Sequence, residues 1–339
     1  MGVDITDLVK SREFLLEELS NRVIVVDGPL FLYQFLTTIR QRDGSVLKDS
    51  KGNVTSHLTG LFTRTTNLMQ KGIKLVYVFD GEVPELKRKE LERRSKVKTE
   101  AAELYEKSVS EGDVEGMRKY ASRSTRLTKE MINEARLLLQ AMGIPVVEAP
   151  YEAEAQAAHM VRKGDCFAVA TQDNDVLMFG ADRIVKNLSI AGRRKKGSSS
   201  VRVKPELIEL SEVLNELSLD RDQLIVLGML VGTDYNIGGV RGIGPKTALK
   251  LLKKYGKDFD ELFQEAKWSF ETSWEEVFYQ IKKMPVSDDY ALEWGEVNGT
   301  EVKKILVDGH NFSVDRVEST LESLKEQMKE SQQRSLLDF

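Results

Sequence analysis

Val23-Ile24-Val25-Val26-Asp27 and Leu75-Val76-Tyr77-Val78-Phe79-Asp80 decide the fold. Each is a short apolar run, rich in β-branched and aromatic residues, that stops on an acid. Runs of this length and content read as buried strands. A third run, Phe167-Ala168-Val169-Ala170, leads into Asp173 and Asp175. Amphipathic helical patterns separate the runs, for example at 31–39 and 58–69. Strands alternating with helices predict an α/β fold, with a mixed, mostly parallel sheet covered by helices on both faces. In such sheets ligands bind beyond the carboxyl ends of the strands, so Asp27, Asp80, Asp173 and Asp175 are expected to meet along one edge.

The rest of the chain supplies scale. Its 339 residues can bury a large core, either as two domains or as one α/β domain with an insertion. At 41% hydrophobic and 31% charged it has a globular composition, and no apolar run reaches the roughly 20 residues of a membrane span. The start shows no secretory pattern. It fits a short myristoylation pattern, but no basic cluster follows to add a second anchor. The lone Cys166 lies in an apolar stretch and cannot form an internal disulfide, so we expect a buried thiol and an intracellular protein. The net charge of −4 conceals strong segregation of acids and bases.

Residues 82–135 are highly charged and read as a helical insertion, broken at Gly112 and Gly116, that projects into solvent. Its start holds Lys87, Arg88, Lys89, Arg93, Arg94, Lys96 and Lys98 against Glu90 and Glu92. A helix at 131–142 and a short strand near 145–147 follow. Glu152 and Glu154 then open an alanine-rich helix, where acids complement the helix dipole. The stretch 192–200 reads as a basic, glycine- and serine-rich mobile loop. From 203 onward the pattern is mainly helical.

Seven carboxylates stand out: Asp27, Asp80, Glu152, Glu154, Asp173, Asp175 and Asp234. Taken singly, an Asp before Gly, as at 27 and 80, is ordinary turn chemistry. Taken together they cannot be, because the strand-end topology gathers at least four in one crevice. Clustered carboxylates repel, and divalent cations relieve that repulsion. An all-oxygen set suits Mg²⁺ or Mn²⁺ better than zinc, and the three histidines lack ligand spacing. Two such cations would activate water and stabilise an in-line phosphoryl transition state. Acids alone would repel a phosphodiester, so metals should be obligatory.

Arg241-Gly242-Ile243-Gly244-Pro245-Lys246 precedes a helix at 247–255 that carries Lys250, Lys253 and Lys254, and no acid occurs from 241 to 257. A Gly-x-Gly turn lets backbone N–H groups approach a phosphate, and the helix N-terminus adds its dipole. This is the pattern of a helix-hairpin-helix, which grips duplex backbone without reading bases.

With these segments in order, the chain resembles the flap endonuclease family of the 5′-nuclease superfamily, more the archaeal than the eukaryotic type. The match runs through Met1-Gly2-Val3, Tyr33-Gln34-Phe35, Thr55-Ser56-His57-Leu58, Val78-Phe79-Asp80-Gly81, 150–154 and Thr171-Gln172-Asp173-Asn174-Asp175. It continues through Phe179-Gly180, Gly232-Thr233-Asp234-Tyr235, 242–246 and His310-Asn311-Phe312-Ser313. Gly28-Pro29, Gln172 and Asn174 depart from the usual pattern, but no carboxylate is missing.

The resemblance implies a PIN-like 5′-nuclease fold in four parts. These are a nuclease region at 1–81, a helical arch at 82–135, a second nuclease region at 136–325 with the helix-hairpin-helix at about 232–257, and a clamp-binding tail at 326–339. It implies that Asp27, Asp80 and Glu152 lie nearer one metal, and Glu154, Asp173 and Asp175 nearer the other. Asp234 would act partly through water. Lys87 and Arg94 would contact the scissile phosphate at the base of the arch, and Tyr33 would stack on a base. Arg241, Gly242, Gly244, Lys246 and Lys250 would hold duplex DNA, with a K⁺ ion compatible with segment 232–241. Thr55 and Arg316 would hold a one-nucleotide 3′ flap. Gln333, Leu336 and Phe339 would engage a sliding clamp, although the chain stops before a second aromatic.

The expected activity is cleavage of branched DNA (5′ flaps, double flaps, nicked duplex) by a monomer in replication and repair. The expected location is cytoplasmic or nucleoid-associated if the source is archaeal. A 5′–3′ exonuclease and a bubble-cutting repair endonuclease are the enzymatic alternatives. The latter carries a much longer spacer than the 71 residues (81–151) between Asp80 and Glu152. A non-catalytic branched-DNA scaffold is the third, and it gains nothing from acids beside phosphates.

Overall fold

The computed structural model describes residues 3–41, 43–190, 192–196 and 199–337. In chain order the strands are β1 (Arg12–Glu13), β2 (Val23–Asp27), β3 (Lys74–Phe79), β4 (Val146–Glu148), β5 (Ala168–Ala170), β6 (Arg183–Lys186), β7 (Gly192–Lys196), β8 (Ser199–Val203) and β9 (Glu206–Glu209). The helices of the first half are α1 (Gly28–Thr38), α2 (Ser56–Gln70), α3 (Arg88–Glu111), α4 (Val114–Arg123), α5 (Lys129–Ala141), α6 (Ala153–Arg162) and α7 (Asp175–Met178). Those of the second half are α8 (Leu210–Leu217), α9 (Arg221–Val231), α10 (Pro245–Tyr255), α11 (Phe259–Ala266), α12 (Trp274–Lys282), α13 (Gly299–Lys303) and α14 (Val314–Leu337).

Seven strands form one sheet in the order β1-β9-β6-β5-β2-β3-β4. The pairs β2–β3, β2–β5, β3–β4 and β5–β6 are parallel, while β6–β9 and β1–β9 are antiparallel. The chain therefore winds one way through β2, β3 and β4 and the other way through β5 and β6. The reversal falls between β2 and β5, which is the place where open α/β sheets bind ligands.

Alternation along the strands splits the core in two. Val25, Val76, Val78, Val169 and Ile184 pack with residues of α6, α7, α9 and α10. Ile24, Val26, Leu75, Tyr77, Phe79 and Val185 pack with α1, α2 and α5. Both faces are buried, which is why the strands read as unbroken apolar runs.

The projecting helical pair is α3 with α4. Gly112 ends α3 in the left-handed region at φ 69°, but Gly116 lies inside α4 and breaks nothing. The next helix, α5, belongs to the core: Ala135, Leu138 and Leu139 are fully buried against α2. Within the stretch 192–200, read as a loop, β7 instead pairs antiparallel with β8, which starts at Ser199. The charged and polar residues of that stretch carry no apolar alternation, so side-chain periodicity could not reveal the pairing.

A close approach fixes the arch root. The Gly81 amide donates to Tyr151 O at 2.8 Å, and the Glu82 amide to Pro150 O at 2.9 Å. A Cβ at Gly81 would lie 2.0 Å from Ala149 O and 2.5 Å from Pro150 O. Gly81→Ala should therefore cost about 1–3 kcal/mol through forced backbone displacement. The measurement is a urea midpoint at unchanged slope, and a wild-type midpoint would refute the contact.

Candidate active site

Each acid is placed by its element. Asp27 ends β2 and caps α1, its Oδ1 accepting from the Leu30 amide at 3.0 Å. Gly28 and Pro29 then occupy the first turn of α1, where proline suits helical geometry and lacks only an amide that would go unpaired. Asp80 follows β3, and its Oδ1 accepts from the Ala153 amide at 2.8 Å, tying β3 to the start of α6. Glu152 stands just before α6, its side chain free of the helix amides, and Glu154 lies in the first turn. Asp173 follows β5, Asp175 opens α7, and Asp175 Oδ1 accepts from the Val3 amide. Asp234 follows α9.

All seven acids form one electrostatic neighbourhood. Burial first, then Asp80 and Asp173, push Asp27 up to about 8 against the pull of the Leu30 amide. Burial, with Asp173 and Asp234 adding to it, pushes Asp175 up to about 7. Glu154 is raised well above its ordinary value by burial and then by Asp175, Asp173 and Asp27. Glu152 is raised by burial, with Asp80 and Asp234 adding and Lys87 opposing. The acids line a cleft rather than closing on a point: among the described residues no three acidic, histidine or cysteine side chains form a ready cage.

Two bases from the arch root enter this cleft. Lys87 Nζ donates to both oxygens of Glu152, at 2.9 and 2.6 Å, and lies 3.3 Å from Asp234 Oδ2. Burial alone would lower the ammonium's pKa, but Glu152 and Asp234 outweigh it and hold Lys87 protonated. Arg94 Nη2 donates to the other oxygen of Asp234. Glu152 and Asp234 on one flank are thus ion-paired with arch bases, whereas Lys87 pulls only weakly on Asp27 and Glu154 on the other. The donors of that flank are all carboxyl oxygens, crowded enough to hold protons until a hard divalent cation displaces them.

The remaining predicted positions fall around this cleft. Tyr33 on α1 has the Lys98 ammonium 4.7 Å from its ring centroid, so it faces the arch. Arg241, Gly242, Gly244, Lys246 and Lys250 lie on the turn and first turns between α9 and α10, all exposed. Gly242 takes φ 82°, and Gly244 caps α10. Thr55 is buried at the start of α2 and Arg316 is exposed on α14. Their segments are tied by Asp49–His310 at 3.1 Å and by the Ser50 amide to Asn311 Oδ1 at 3.3 Å. Gln333 and Leu336 lie on the last turns of α14, and Phe339 lies outside the described residues.

Sequence reading missed three participants. Tyr235 buries its hydroxyl beside Glu152, Glu154 and Asp234, and burial with those charges keeps it protonated. Lys186, at the carboxyl end of β6, donates to Asn174 Oδ1 at 2.8 Å and braces the loop that carries Asp173. The Val3 amide holds Asp175. Only Tyr235 had a signal, its place directly after Asp234 at a helix end.

A switch-point crevice lined by acids and faced by a basic helical arch defines a nuclease of the XPG type. The XPG N-terminal domain matches residues 3–101 and the XPG I-region matches 143–234. Flap endonuclease 1 of Hyperthermus butylicus is 50% identical over 335 residues, covering 97% of this chain and 96% of that protein. That of Pyrococcus horikoshii is 48% identical, covering 99% and 97%. Among solved structures, flap endonuclease-1 from Methanococcus jannaschii superposes with a TM-score of 0.77 at 38% identity, covering 97% of this chain and all of that one. The catalytic core of Rad2 in complex with DNA substrate gives 0.71 at 25% identity, covering 96% of this chain. The chain belongs to the flap endonuclease family.

The raised acids make a test that needs no DNA. Between about pH 4 and about pH 8 a carboxyl with a raised folded pKa holds its proton more in the folded than in the unfolded chain. The unfolded state then binds fewer protons, so stability falls as pH rises through that window. The melting temperature of the cation-free protein should fall from about pH 5 to about pH 8, and added Mg²⁺ should raise it more at the upper end. A melting temperature indifferent to Mg²⁺ at both ends would count against cation binding here.

Proposed function

We propose that this protein is a structure-specific 5′ flap endonuclease with 5′–3′ exonuclease activity. It hydrolyses DNA phosphodiesters at junctions between single strand and duplex, in Okazaki-fragment maturation and repair. The observation that carries this reading is the convergence of Asp27, Asp80, Glu152, Glu154, Asp173, Asp175 and Asp234 on one sheet edge, with Lys87 and Arg94 entering from the arch.

Asp27, Asp80 and Glu152 would hold one Mg²⁺ and Glu154, Asp173 and Asp175 a second, with Asp234 acting through water; Mn²⁺ shares this ligand preference. Bound there, the cations would supply water activation and charge stabilisation for an in-line displacement. The protein's own part is positional and electrostatic. Lys87 and Arg94 now spend their donors on Glu152 and Asp234, and a phosphate entering the cleft offers the same acceptor geometry. Transferred to the scissile phosphate, they would stabilise its developing charge. Hydrolysis breaks the P–O3′ bond and leaves a 5′-phosphate and a 3′-hydroxyl.

Around this centre, Tyr33 would stack on a base and the α3–α4 arch would pass the free 5′ strand. Thr55 and Arg316 would hold a one-nucleotide 3′ flap. The turn at 241–246 with Lys250 would grip duplex phosphates, with K⁺ coordinated by backbone carbonyls in 232–241. The parts would be 1–81, an insertion at 82–135 whose end runs into α5 of the core, 136–325 and 326–339, the last docking a sliding clamp through Gln333, Leu336 and Phe339. We take the working form as a monomer. Among the described residues no helix is long and apolar enough to cross a membrane.

The direct test is an end-labelled double-flap DNA in Mg²⁺. A single cut near the junction is expected, abolished by EDTA and slowed more than about a hundred-fold by Asp173→Ala. Binding without cutting would leave only a scaffold, and cutting indifferent to the flap would indicate a general exonuclease. For the duplex grip, Lys246→Ala and Lys250→Ala should each weaken binding and lower the slope of log K against log salt by about 1. An unchanged slope would remove these lysines from the DNA path.

A further inference from the structure

Between Lys87 and Lys98 there are two acids, Glu90 and Glu92. Glu92 is exposed, as a solvated helix face predicts, but Glu90 is only 3% exposed. A buried carboxylate inside a basic helix is costly unless its oxygens are fully occupied. Here they are. Arg93 Nε and Nη2 donate to its two oxygens at 2.7 and 2.8 Å, and Arg94 Nε donates at 2.6 Å. Burial raises the Glu90 carboxyl, but these bonds and charges outweigh it and hold it below its ordinary range.

We infer that Glu90 is a positioning residue that aims Arg94 into the active site. The inference rests on the reading of Arg94 as a phosphate-binding group. Glu90 lies one helical turn before Arg94 and holds the Nε edge of the guanidinium. That leaves Nη2 directed into the cleft, where it donates to Asp234. A guanidinium is planar, so fixing one edge fixes the direction of the others. Asp234 is itself a member of the acid cluster and is contested by Lys87. A phosphate or cation arriving in the cleft would compete for that end of Arg94, and the Glu90 end would remain as its tether.

Charge gives the inference a signature that general structural damage lacks. Glu90 cancels one of the two arginine charges beside it. Its loss makes the arch root more positive by one unit, so attraction for DNA does not fall. Orientation of Arg94 does fall, and small misplacements of a transition-state donor are expensive in rate. Rate and affinity therefore move apart.

The experiment uses the full chain with end-labelled double-flap DNA, comparing wild type, Glu90→Gln, Arg94→Ala and the double variant. Single-turnover rates are read in Mg²⁺ and equilibrium binding in EDTA. Glu90→Gln should slow cleavage about tenfold while binding is unchanged or tighter. Combined with Arg94→Ala it should add no further loss, because both changes remove one interaction. Should Glu90→Gln fail to fold by circular dichroism, Glu90→Asp replaces it. That variant keeps the charge but shortens the reach, and about a threefold loss with unchanged binding is expected. A wild-type rate for Glu90→Gln beside a crippled Arg94→Ala would overturn the role of Glu90 and leave that of Arg94 standing. Multiplied losses in the double variant would overturn it as well. A wild-type rate for Arg94→Ala would overturn both roles together.

Discussion

Mutual repulsion among carboxylates is the constraint on which this molecule turns. A parallel sheet delivers its strand ends to one edge, and here those ends and the following turns carry acids. Desolvation by the two-sided core makes the repulsion worse, as the raised Asp27, Glu154 and Asp175 record. The fold answers with two kinds of counter-charge. Backbone amides of Leu30, Ala153 and Val3 each donate to one acid. Lys87 and Arg94 reach in from a separate helical element to satisfy Glu152 and Asp234. What is left unbalanced is the flank best suited to hard cations.

The helical arch therefore belongs to the chemistry as much as to the architecture. Its root contributes both bases, and Lys98 beside Tyr33 links it to the first helix. The segment 232–257 meets the arch root at Asp234, while its glycine turn and lysines are exposed.

How much of this was legible in the sequence depended on periodicity and on grouping. The central strands announced themselves because both faces are buried, so every residue of Val23–Val26 is apolar. Their acids were legible because parallel topology fixes which end they occupy. The strands beyond β5, namely β6, β9 and β1, were not. Arg12–Glu13 is too short to carry a pattern, and Arg183–Lys186 and Glu206–Glu209 each place two apolar residues between charged ones. The β7–β8 pair begins in a stretch, 192–200, that holds no large apolar residue to announce it. In the site, Lys186 and Glu90 were invisible for the opposite reason: a single charged residue among many reads as solvated until its neighbours are known. Tyr235 was quoted within a motif but had no chemistry until Glu152 and Glu154 were placed beside it.

The stapled root at Gly81 has a mechanical reading. β3 and β4 are adjacent parallel strands, and the arch leaves from the end of one and rejoins the chain before the other. Two amide bonds to residues 150 and 151 lock its departure point. Asp80 sits just before that lock, and Glu152 just after the residues it grips. The root of the arch is thus fastened between two members of the acid cluster. The bonds that clasp the arch root therefore also hold Asp80 and Glu152 at a set spacing, as a buckle holds two ends of a strap.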